Sequence, residues 1–319
     1  MKRRSLPVCL TCGLLGAALA GAVAYGQGDL SLTVREAAGV LEISRGPQKL
    51  LVYAFARDQF KPYVKELYSL KGDHVLRDAP ADHLHHHGLM FAIRVNGVNF
   101  WEERNEPGHE KSVKLLSHST SKDAQGRAQA AFSQLIHWVM DKDKALANTA
   151  PAALLLERRT ITLTVDDAQQ EVSLRWHADF EVGRGAQKVT LTGASYNGLG
   201  LRLPQAFDHV ARHQNSEGAS YSAEQRGDVT TAKWSAVSHP VEGRDLMIAL
   251  FGSPANQGDT RFFTMLNDFA YLAVTQNLEK TPLAYSTGDP FSLDYLLAVY
   301  PEKKSVEFLN QRYQTWLRK

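Results

Sequence analysis

Residues 93–100 of this chain read Ile-Arg-Val-Asn-Gly-Val-Asn-Phe, and they decide the fold class. Asn96 and Gly97 lie between two runs of β-forming residues. A two-residue turn of this composition is typical of a β-hairpin, because both turn positions need a positive φ. The pairs that such a turn predicts across the two strands are Val95 with Val98, Ile93 with Phe100 and Ala92 with Trp101.

Similar strand-like runs extend along most of the chain. Residues 30–34, 160–165 and 187–192 alternate apolar and polar side chains, as half-buried strands do. Residues 246–251 are continuously apolar, which suits a strand covered on both faces, and residues 293–300 are a last candidate. Such runs, separated by turn residues, predict an all-β protein built as an antiparallel β-sandwich. A supersandwich of the mutarotase type is one form that this sandwich could take.

Residues 305–319 are the exception, because apolar side chains recur there at helical spacing. They predict a short C-terminal helix whose apolar stripe packs on the core. Residues 141–152 and 209–231 are polar with little apolar periodicity, and we expect long loops there. Residues 193–198 are rich in glycine and are interpreted as a turn. The residues of the helical stripe are Val306, Leu309, Tyr313 and Trp316.

Residues 1–26 have the features of a secretory signal peptide. Basic residues at positions 2–4 precede an apolar run over residues 10–23, and small residues precede Gln27. The apolar run is too short to span a bilayer. We therefore expect cleavage before Gln27, a periplasmic or secreted protein, and a single β-sandwich domain over residues 27–319. The pattern leaves open whether the general or the twin-arginine route exports the chain.

The composition argues against several classes of function. Both cysteines, Cys9 and Cys12, lie in the predicted signal peptide, so the mature chain could form neither disulfides nor cysteine metal sites. Without that peptide the 36 Lys and Arg residues become 33, against 34 Asp and Glu. A nearly neutral chain is not expected to bind nucleic acid. No later segment of the sequence is long and apolar enough to cross a membrane.

The densest group of chemically active residues is Asp-His-Leu-His-His-His-Gly at positions 82–88, directly before the hairpin. In an extended strand, His83, His85 and His87 would point one way and His86 the other. A straight strand would separate His83 from His87 by about 13 Å, too far to share one ion at Zn–N bonds of about 2.1 Å. Neighbouring pairs of these histidines could still chelate a divalent metal ion with a ligand from elsewhere.

Carboxylates follow the hairpin at Glu102 and Glu103. If the ladder continued, Glu103 would lie opposite Met90 and Glu106 opposite His87. A neutral imidazole beside a carboxylate is the usual pair for general acid–base catalysis. The same groups could instead complete a metal site of histidines and a carboxylate, or the histidines could simply be solvated loop residues. The residues expected to act in catalysis are His85, His87, Glu102 and Glu103.

A second, smaller group follows Asp208. His209 and His213 have the spacing of metal ligands on a helix, but the residues around them lack helical periodicity. A loop that bends toward the first group, and that includes Glu217, is the better interpretation. Trp101 could offer a flat face to a sugar ring, although core packing is the usual role of a buried tryptophan.

Two segments, residues 82–91 and 95–101, together resemble the signature of the PmoA-like family, a domain of unknown function in exported bacterial proteins. Residues 252–256 depart from it, since a histidine is expected ahead of the proline, and residues 262–269 match poorly. The resemblance implies an all-β sandwich and an association with carbohydrate use. The membrane-spanning methane oxygenase subunit that the family name suggests is excluded by hydropathy. The other matching blocks are residues 61–63, 75–78, 198–202, 215–218 and Trp234.

These patterns together predict an exported carbohydrate-active protein with a small-molecule sugar as its partner. We expect an enzyme that acts on a glycoside or modified sugar by hydrolysis, elimination or epimerisation. A non-catalytic sugar-binding or structural module is the main alternative, and a metal-dependent oxygenase a third. The substrate-binding residues expected are Arg77, His83, Trp101, His209 and Glu217. The metal set considered, for a divalent ion, is His83, His85 and His87.

Overall fold

The computed structural model describes residues 31–140, 152–218 and 228–318. These residues form antiparallel β-sheets and one C-terminal helix, so the predicted all-β sandwich with a short terminal helix is confirmed. The strands are β1 (Leu32–Ala37), β2 (Val40–Arg45), β3 (Gln48–Ala54), β4 (Tyr63–Leu67), β5 (Leu89–Ala92), β6 (Arg94–Val95), β7 (Val98–Asn99), β8 (His109–Lys122), β9 (Ala128–Val139), β10 (Leu155–Asp166), β11 (Glu171–Val182), β12 (Lys188–Thr192), β13 (Gly198–Arg202), β14 (Arg212–Asn215), β15 (Asp228–Thr231), β16 (Trp234–Val241), β17 (Arg244–Gly252), β18 (Arg261–Met265), β19 (Tyr271–Thr275), β20 (Leu283–Ser286) and β21 (Phe291–Tyr300). The helix is α1 (Val306–Leu317), and Gln205–Phe207 form a short 3₁₀ turn.

Two large sheets form the sandwich. The nine-stranded sheet has the order β1-β2-β3-β4-β5-β13-β19-β18-β15, and the eight-stranded sheet has the order β14-β16-β17-β21-β11-β10-β9-β8. Their inner faces meet through aromatic contacts: the ring of Tyr53 lies 4.8 Å from that of Phe132, and Phe91 lies 6.0 Å from Trp138. A small third sheet, β20-β12-β6-β7, contains the hairpin.

The hairpin forms as predicted at its turn. Asn96 and Gly97 have φ angles of 50° and 82°, the conformation that favours glycine, and Val95 pairs with Val98. The amide of Phe100 donates to the carbonyl of Ile93 at 3.2 Å. Beyond that point the strands diverge, so the ladder does not continue.

The pairs predicted from a longer ladder are wrong. Ala92 pairs with Gly198 instead of Trp101, and Met90 pairs with Gly200 instead of Glu103. The reason is that β5 leaves the hairpin for the large sheet, where it gains two neighbours, β4 and β13. Residues 100–106 leave the sheet in bends, so Glu106 has no strand partner at His87.

The other strand predictions hold within the described residues. The four runs at residues 160–165, 187–192, 246–251 and 293–300 correspond to β10, β12, β17 and β21. The first run corresponds to β1, although Leu30 lies outside the described residues. The turn at residues 193–198 is also present, and it leads directly into β13.

The two predicted long loops have different outcomes. The loop at residues 141–152 lies almost wholly outside the described residues. Residues 209–231 are not one loop, because β14 pairs with β16 and β15 pairs with β18. Apolar periodicity is weak in these residues because short strands at a sheet edge need few buried side chains. The sequence therefore predicted a loop there.

The C-terminal helix packs on the outer face of the eight-stranded sheet. Its N-terminus is capped by Ser305, whose Oγ accepts from the amide of Phe308 at 3.2 Å. The predicted stripe is the buried face, with Val306 at its partly exposed end. Trp234 donates from Nε1 to Oδ1 of Asn310 at 2.9 Å and fixes the helix on β16. The fully buried residues of the stripe are Leu309, Tyr313 and Trp316.

A charged cluster is enclosed between the two sheets. The guanidinium of Arg159 lies between Glu157, at 2.6 Å, and Glu110, at 3.2 Å, and it stacks over the ring of Trp176. All three charged residues are inaccessible to solvent. Burial raises the pKa of Glu110 to about 8; the charge of Arg159 opposes this rise, and the nearby carboxylate of Glu157 adds to it. In the ranges that the structure describes, no helix has the length and apolar character needed to cross a membrane.

Candidate functional site

A cavity of about 320 Å³ opens beside the histidine segment. Its walls come from the loop before β5, the residues after β7, the turn before β13, and strands β18 and β19 with the bend between them. Volumes of this size accommodate small organic ligands. The lining residues are His83, His85, His86, Trp101, Glu102, Arg104, Tyr196, Phe263, Met265, Asp268, Phe269 and Tyr271.

The histidine segment is not extended, contrary to the prediction, because two successive turns fold it. The amide of His83 donates to the carbonyl of Pro80, and the amide of His86 donates to that of His83, both at 2.9 Å. The amide of Ala79 closes the loop on the carbonyl of His86 at 2.9 Å. Side chains therefore do not alternate, and His86 lies on the same side as His83 and His85.

These three imidazoles form a cluster in the cavity wall. The ring of His83 stacks on that of His86 at 4.6 Å, and the ring of His85 meets His86 edge-on at the same distance. Burial lowers the pKa of His86 to about 2, and the two neighbouring imidazoles lower it further. Burial also lowers the pKa of His85. The cluster is therefore uncharged at neutral pH in its inner part.

His83 has an orienting carboxylate. Its Nδ1 donates to Oδ2 of Asp82 at 2.9 Å, and the same oxygen lies 3.4 Å from Nη2 of Arg202. A proton fixed on Nδ1 leaves Nε2 as the basic nitrogen of the ring. This is the carboxylate–histidine arrangement that general bases use.

Three residues of the cavity lining carry buried polar atoms that lack a hydrogen-bond partner in the described ranges. His86 Nδ1, Trp101 Nε1 and the Tyr271 hydroxyl are all buried, and none has a hydrogen-bond partner within the described part of the chain. A buried polar atom left unpaired costs about 1–3 kcal/mol. Three of them on the wall of one cavity indicate that a polar ligand or ordered water completes the site.

Aromatic rings enclose these polar atoms. Trp101 lies 5.5 Å from Tyr196 and 6.1 Å from Tyr271, and Phe263 lies 6.1 Å from Tyr271. Phe269 completes the wall, with its ring 4.8 Å from that of His83. Apolar faces with a few fixed polar atoms between them suit a ligand that has both C–H faces and hydroxyl groups.

Acidic groups lie at the rim. Glu102 is partly exposed and its Oε2 accepts from Nε of Arg104 at 3.4 Å. Asp268 is exposed on the opposite wall. The Asn99 side chain accepts from the amides of Trp101 and Glu102 at 3.0 and 3.2 Å, which fixes the bend that directs both side chains into the cavity.

Two of the four predicted catalytic residues, His87 and Glu103, lie outside the cavity lining. His87 donates from Nδ1 to Asp78 at 2.9 Å and from Nε2 to Glu103 at 3.1 Å. Glu103 also receives the ammonium of Lys61 at 2.5 Å, and Tyr63 stacks on the His87 ring at 4.3 Å. The structure thus divides the predicted catalytic set in two, with His85 and Glu102 in the cavity.

This ion network holds its members in fixed protonation states. Burial opposes the charge of Glu103, but the hydrogen bond from His87 and the charge of Lys61 prevail and lower its pKa to about 2. Burial likewise opposes the charge of His87, yet its bonds to Asp78 and Glu103 raise its pKa. An imidazolium between two carboxylates is stabilised in its charged form and is suited to support the neighbouring loop.

The structure does not assemble the metal set considered. Within the described residues, no three or more His, Asp or Glu side chains are arranged to hold one ion. His83 and His85 have rings 5.8 Å apart, but both nitrogens of His87 are engaged with Asp78 and Glu103.

Of the predicted substrate-binding residues, His83 and Trp101 line the cavity and three others do not. Arg77 pairs with Asp208 at 3.8 Å. His209 is exposed, with its amide bonded to the carbonyl of Leu266, and Glu217 is exposed and bonded to Ser216. The neighbouring His213 is buried in β14 and is hydrogen-bonded to Ser235 at 2.6 Å, so the predicted bending of this loop toward the first group is wrong.

More than half of the residues in the cavity wall were not predicted from the sequence. Tyr196 lies in the turn interpreted only as a turn, and Asp268 and Phe269 lie in the block that matched the family signature poorly. The sequence feature that could have identified this wall is the alternation in β18, where Phe263 and Met265 are partly exposed between buried neighbours. Partly exposed large apolar residues on a strand indicate a surface that something covers.

Comparison with solved structures shows the fold. A GH36 α-galactosidase, AgaB, from Geobacillus stearothermophilus is similar over 85% of this chain with a TM-score of 0.51 and 10% identity, and the match covers 41% of that enzyme. The α-galactosidase of Lactobacillus brevis has a TM-score of 0.47 at 9% identity, covering 84% of this chain and 39% of its own. The Slr1438 protein of Synechocystis sp. PCC 6803 has a TM-score of 0.44 at 12% identity, covering 85% and 96%.

The chain thus spans about two fifths of the length of the first of these enzymes, and at such identities the similarity shows the β-sandwich alone. No curated protein sequence matches the chain significantly. One family model matches residues 40–314, which include the histidine segment, the cavity and most of both large sheets. The chain therefore belongs to the family described as "Family of unknown function (DUF6807)".

Proposed function

We propose that this protein binds a carbohydrate in the cavity beside the histidine segment and acts on it as an enzyme. The observation that supports this most is the set of unpaired polar atoms, His86 Nδ1, Trp101 Nε1 and Tyr271 Oη, between aromatic walls. Sugar hydroxyls can satisfy such atoms while the C–H faces of the ring pack on aromatic side chains. The cavity volume of about 320 Å³ accommodates a mono- or disaccharide.

The chemistry that we propose is acid–base catalysis. Hydrolysis, elimination and epimerisation all need one group that removes a proton and one that supplies it. His83, oriented by Asp82, would be the base through Nε2. Glu102 and His85, in the same wall, would complete the set and supply or receive the second proton.

Binding can be tested by removing one hydroxyl. Tyr271→Phe should weaken the affinity for the preferred sugar about tenfold, because one hydrogen bond at a buried site is lost. Tyr295→Phe is the matched control, since the Tyr295 hydroxyl is equally buried and unpaired among the described residues but lies outside the cavity lining. Calorimetric titration with a panel of ordinary and oxidised glycosides gives the affinities. If no sugar binds, or if both variants lose affinity equally, the proposal is wrong.

Turnover must be tested separately from binding. Purified protein is incubated with the sugars that bind, with and without a chelator, and products are followed by NMR. His83→Ala and Glu102→Gln should abolish turnover while the circular dichroism spectrum is unchanged. If both variants retain full turnover, these roles are refuted.

A non-catalytic sugar-binding module is the second candidate. The rim favours it in one respect, because Glu102 already has a partner in Arg104 at 3.4 Å. A module of this kind would bind sugar without turnover, and its affinity would survive Glu102→Gln and Glu103→Gln largely unchanged.

We further propose that the family relation extends to the PmoA-like proteins, and that the chain is exported after cleavage before Gln27. N-terminal sequencing of the protein from a periplasmic fraction tests the export.

A further inference from the structure

Arg202 is a buried cation with an incomplete set of partners. It is the last residue of β13, its amide donates to the carbonyl of Gly88 at 3.0 Å, and its backbone pairs with that of Tyr271. It thus connects the end of the histidine segment with the base of the cavity. Its side chain is only 1% exposed, so water does not solvate its charge.

The guanidinium makes two contacts. It stacks on the ring of Phe269, 3.6 Å from the ring centre, and Nη2 lies 3.4 Å from Oδ2 of Asp82. Nε and Nη1 are buried without a hydrogen-bond partner in the part of the chain that the structure describes. Burial lowers the pKa of Arg202, as expected for a charge with too little compensation.

Arg159 in the core shows how this chain otherwise treats a buried arginine. Its guanidinium bonds to two carboxylates, a hydroxyl and the carbonyl of Pro62. A buried cation left with one long ion contact costs several kcal/mol unless a negative group approaches it. Arg202 is therefore compensated less closely than Arg159, because the charges of Asp82 and Asp208 act on it but only Asp82, at 3.4 Å, is in contact.

Arg202 itself is not in the cavity lining, and its charge reaches the cavity only through residues that are. Phe269 lines the cavity, and so do His86 and Tyr271, both of which lie within range of the charge of Arg202. The unpaired atoms at the base include the N–H of Trp101, which can only donate, and the hydroxyl of Tyr271, which can donate. The base of the cavity therefore favours a ligand group that accepts hydrogen bonds and carries negative charge.

The positions of the acidic side chains agree with a cavity base that favours negative charge. Glu102 and Asp268 stand at the rim, where water screens them, and Asp82 is bonded to His83. Arg202 is shielded from water, so its charge acts through a medium of lower dielectric constant. A ligand with one anionic end and a neutral polar end would fit base and rim respectively.

We propose that the sugar bound in this cavity is acidic, a uronate whose carboxylate lies at the base beside Tyr271 and Trp101, where the charge of Arg202 stabilises it from behind the lining residues. This inference rests on the proposed carbohydrate function. Gly200 contributes to the same place, because a Cβ there would come within 1.8 Å of the Tyr271 hydroxyl and 3.3 Å of Trp101. Only glycine leaves room for both donors.

The test compares sugars that differ only in the carboxylate. Wild-type protein is titrated calorimetrically with galacturonate against galactose and with glucuronate against glucose. We expect one uronate to bind about tenfold or more tightly than its neutral partner, as an anion near a poorly compensated buried cation should. Arg202→Gln should bring the pair to within about twofold, and Arg202→Lys, which keeps the charge, should retain most of the preference. Arg175→Gln, at an exposed pair with Asp294, should change nothing.

The outcomes separate this inference from the proposed function. If neutral sugars bind as tightly as uronates, the acidic ligand is refuted while carbohydrate binding stands. If Arg202→Gln keeps the preference for the uronate, the role of Arg202 is refuted. If neither class binds, both fail. Thermal unfolding of each variant shows whether it is folded, and if Arg202→Gln is not, the wild-type preference and Arg202→Lys decide the question.

Discussion

Nε2 of His87 lies 3.1 Å from Oε1 of Glu103, and this pair is an ion bridge of the loop that carries the cavity histidines. Asp78 holds the other nitrogen of the same ring at 2.9 Å, and the Lys61 ammonium holds the other side of Glu103. His87 lies between the cavity histidines and β5, separated from that strand only by Gly88, so its fixation sets where His83, His85 and His86 lie. The network therefore takes no part in the chemistry proposed for the cavity, but it supports the loop whose histidines form the cavity wall.

Loss of the Glu103 carboxylate should destabilise the fold in a pH-dependent manner. The pKa of Glu103 is lowered to about 2 in the folded protein, so its stabilisation is present above its ordinary value near 4.5 and is lost as the pH falls toward 2. The pKa of His87 is raised, so its contribution is complete below about 6.5 and declines as the pH rises through the raised value. Glu103→Gln should therefore cost about 2–3 kcal/mol at pH 5–6 and about half of that at pH 3.

Urea denaturation of both proteins from pH 3 to pH 8 measures this difference. Glu102→Gln is the control, since that carboxylate is bonded only to the largely exposed Arg104, and it should change stability by less than about 0.5 kcal/mol throughout. A cost for Glu103→Gln that is the same at pH 3 and pH 6 would contradict the pKa direction.

His85 and His87 should respond differently to alanine, although the sequence predicted one role for both. His85→Ala removes a cavity wall residue and should abolish turnover and weaken sugar binding, with a change in unfolding free energy of about 1 kcal/mol or less. His87→Ala leaves two carboxylates and a lysine in one partly buried network and should cost about 2–3 kcal/mol. Thermal unfolding and calorimetric titration of the two variants separate the roles, and equal stability of the two would refute the division.

The fold was predictable because its decisive signals are local. The Asn96-Gly97 turn needs only its own backbone conformation, and the helix at residues 306–317 needs only its own apolar stripe. The prediction failed where a partner distant in sequence decides the structure. β5 leaves the hairpin because Met90 finds Gly200 as its partner, and that pairing is not visible in residues 82–106.

The candidate site was likewise predictable only where the local sequence determines it. A cluster of histidines beside a hairpin indicated where to look, and His83, His85, Trp101 and Glu102 do line the cavity. The alternation assumed for an extended strand misplaced His86 and His87, because hydrogen-bonded turns replace it. Tyr271 joins the wall through the pairing of β13 with β19, which no spacing along the chain encodes.

Gly200 should be essential for the cavity. In Gly200→Ala the new methyl group would lie 1.8 Å from the Tyr271 hydroxyl, so that side chain must move away from the base of the cavity. We expect a loss of about 1–3 kcal/mol of stability from overpacking, together with loss of sugar binding. Gly252→Ala is the matched control, because its Cβ would meet Thr260 at 2.8 Å in a strand away from the cavity. It should lose stability similarly and retain affinity, and affinity retained in Gly200→Ala would contradict the assignment of this cavity.

Glu110 should make the wild-type fold less stable as the pH rises. One oxygen of this buried carboxyl lies 3.2 Å from Arg159, whose charge is already shared with Glu157, and burial raises its pKa to about 8. Between its ordinary value near 4.5 and about 8 the folded state binds a proton that the unfolded state does not. The free energy of unfolding should therefore fall with pH, by at most about 1.4 kcal/mol per unit from this group.

Glu110→Gln removes the titration, so its stability relative to wild type should rise steadily from pH 5 to pH 8 in urea denaturation. Glu171→Gln is the control: Glu171 is equally buried but fully paired with Arg312, its pKa is lowered, and its cost should be constant over the same range. A constant difference for Glu110→Gln as well would show that Glu110 is ionised in the core and that Arg159 compensates two carboxylates at once.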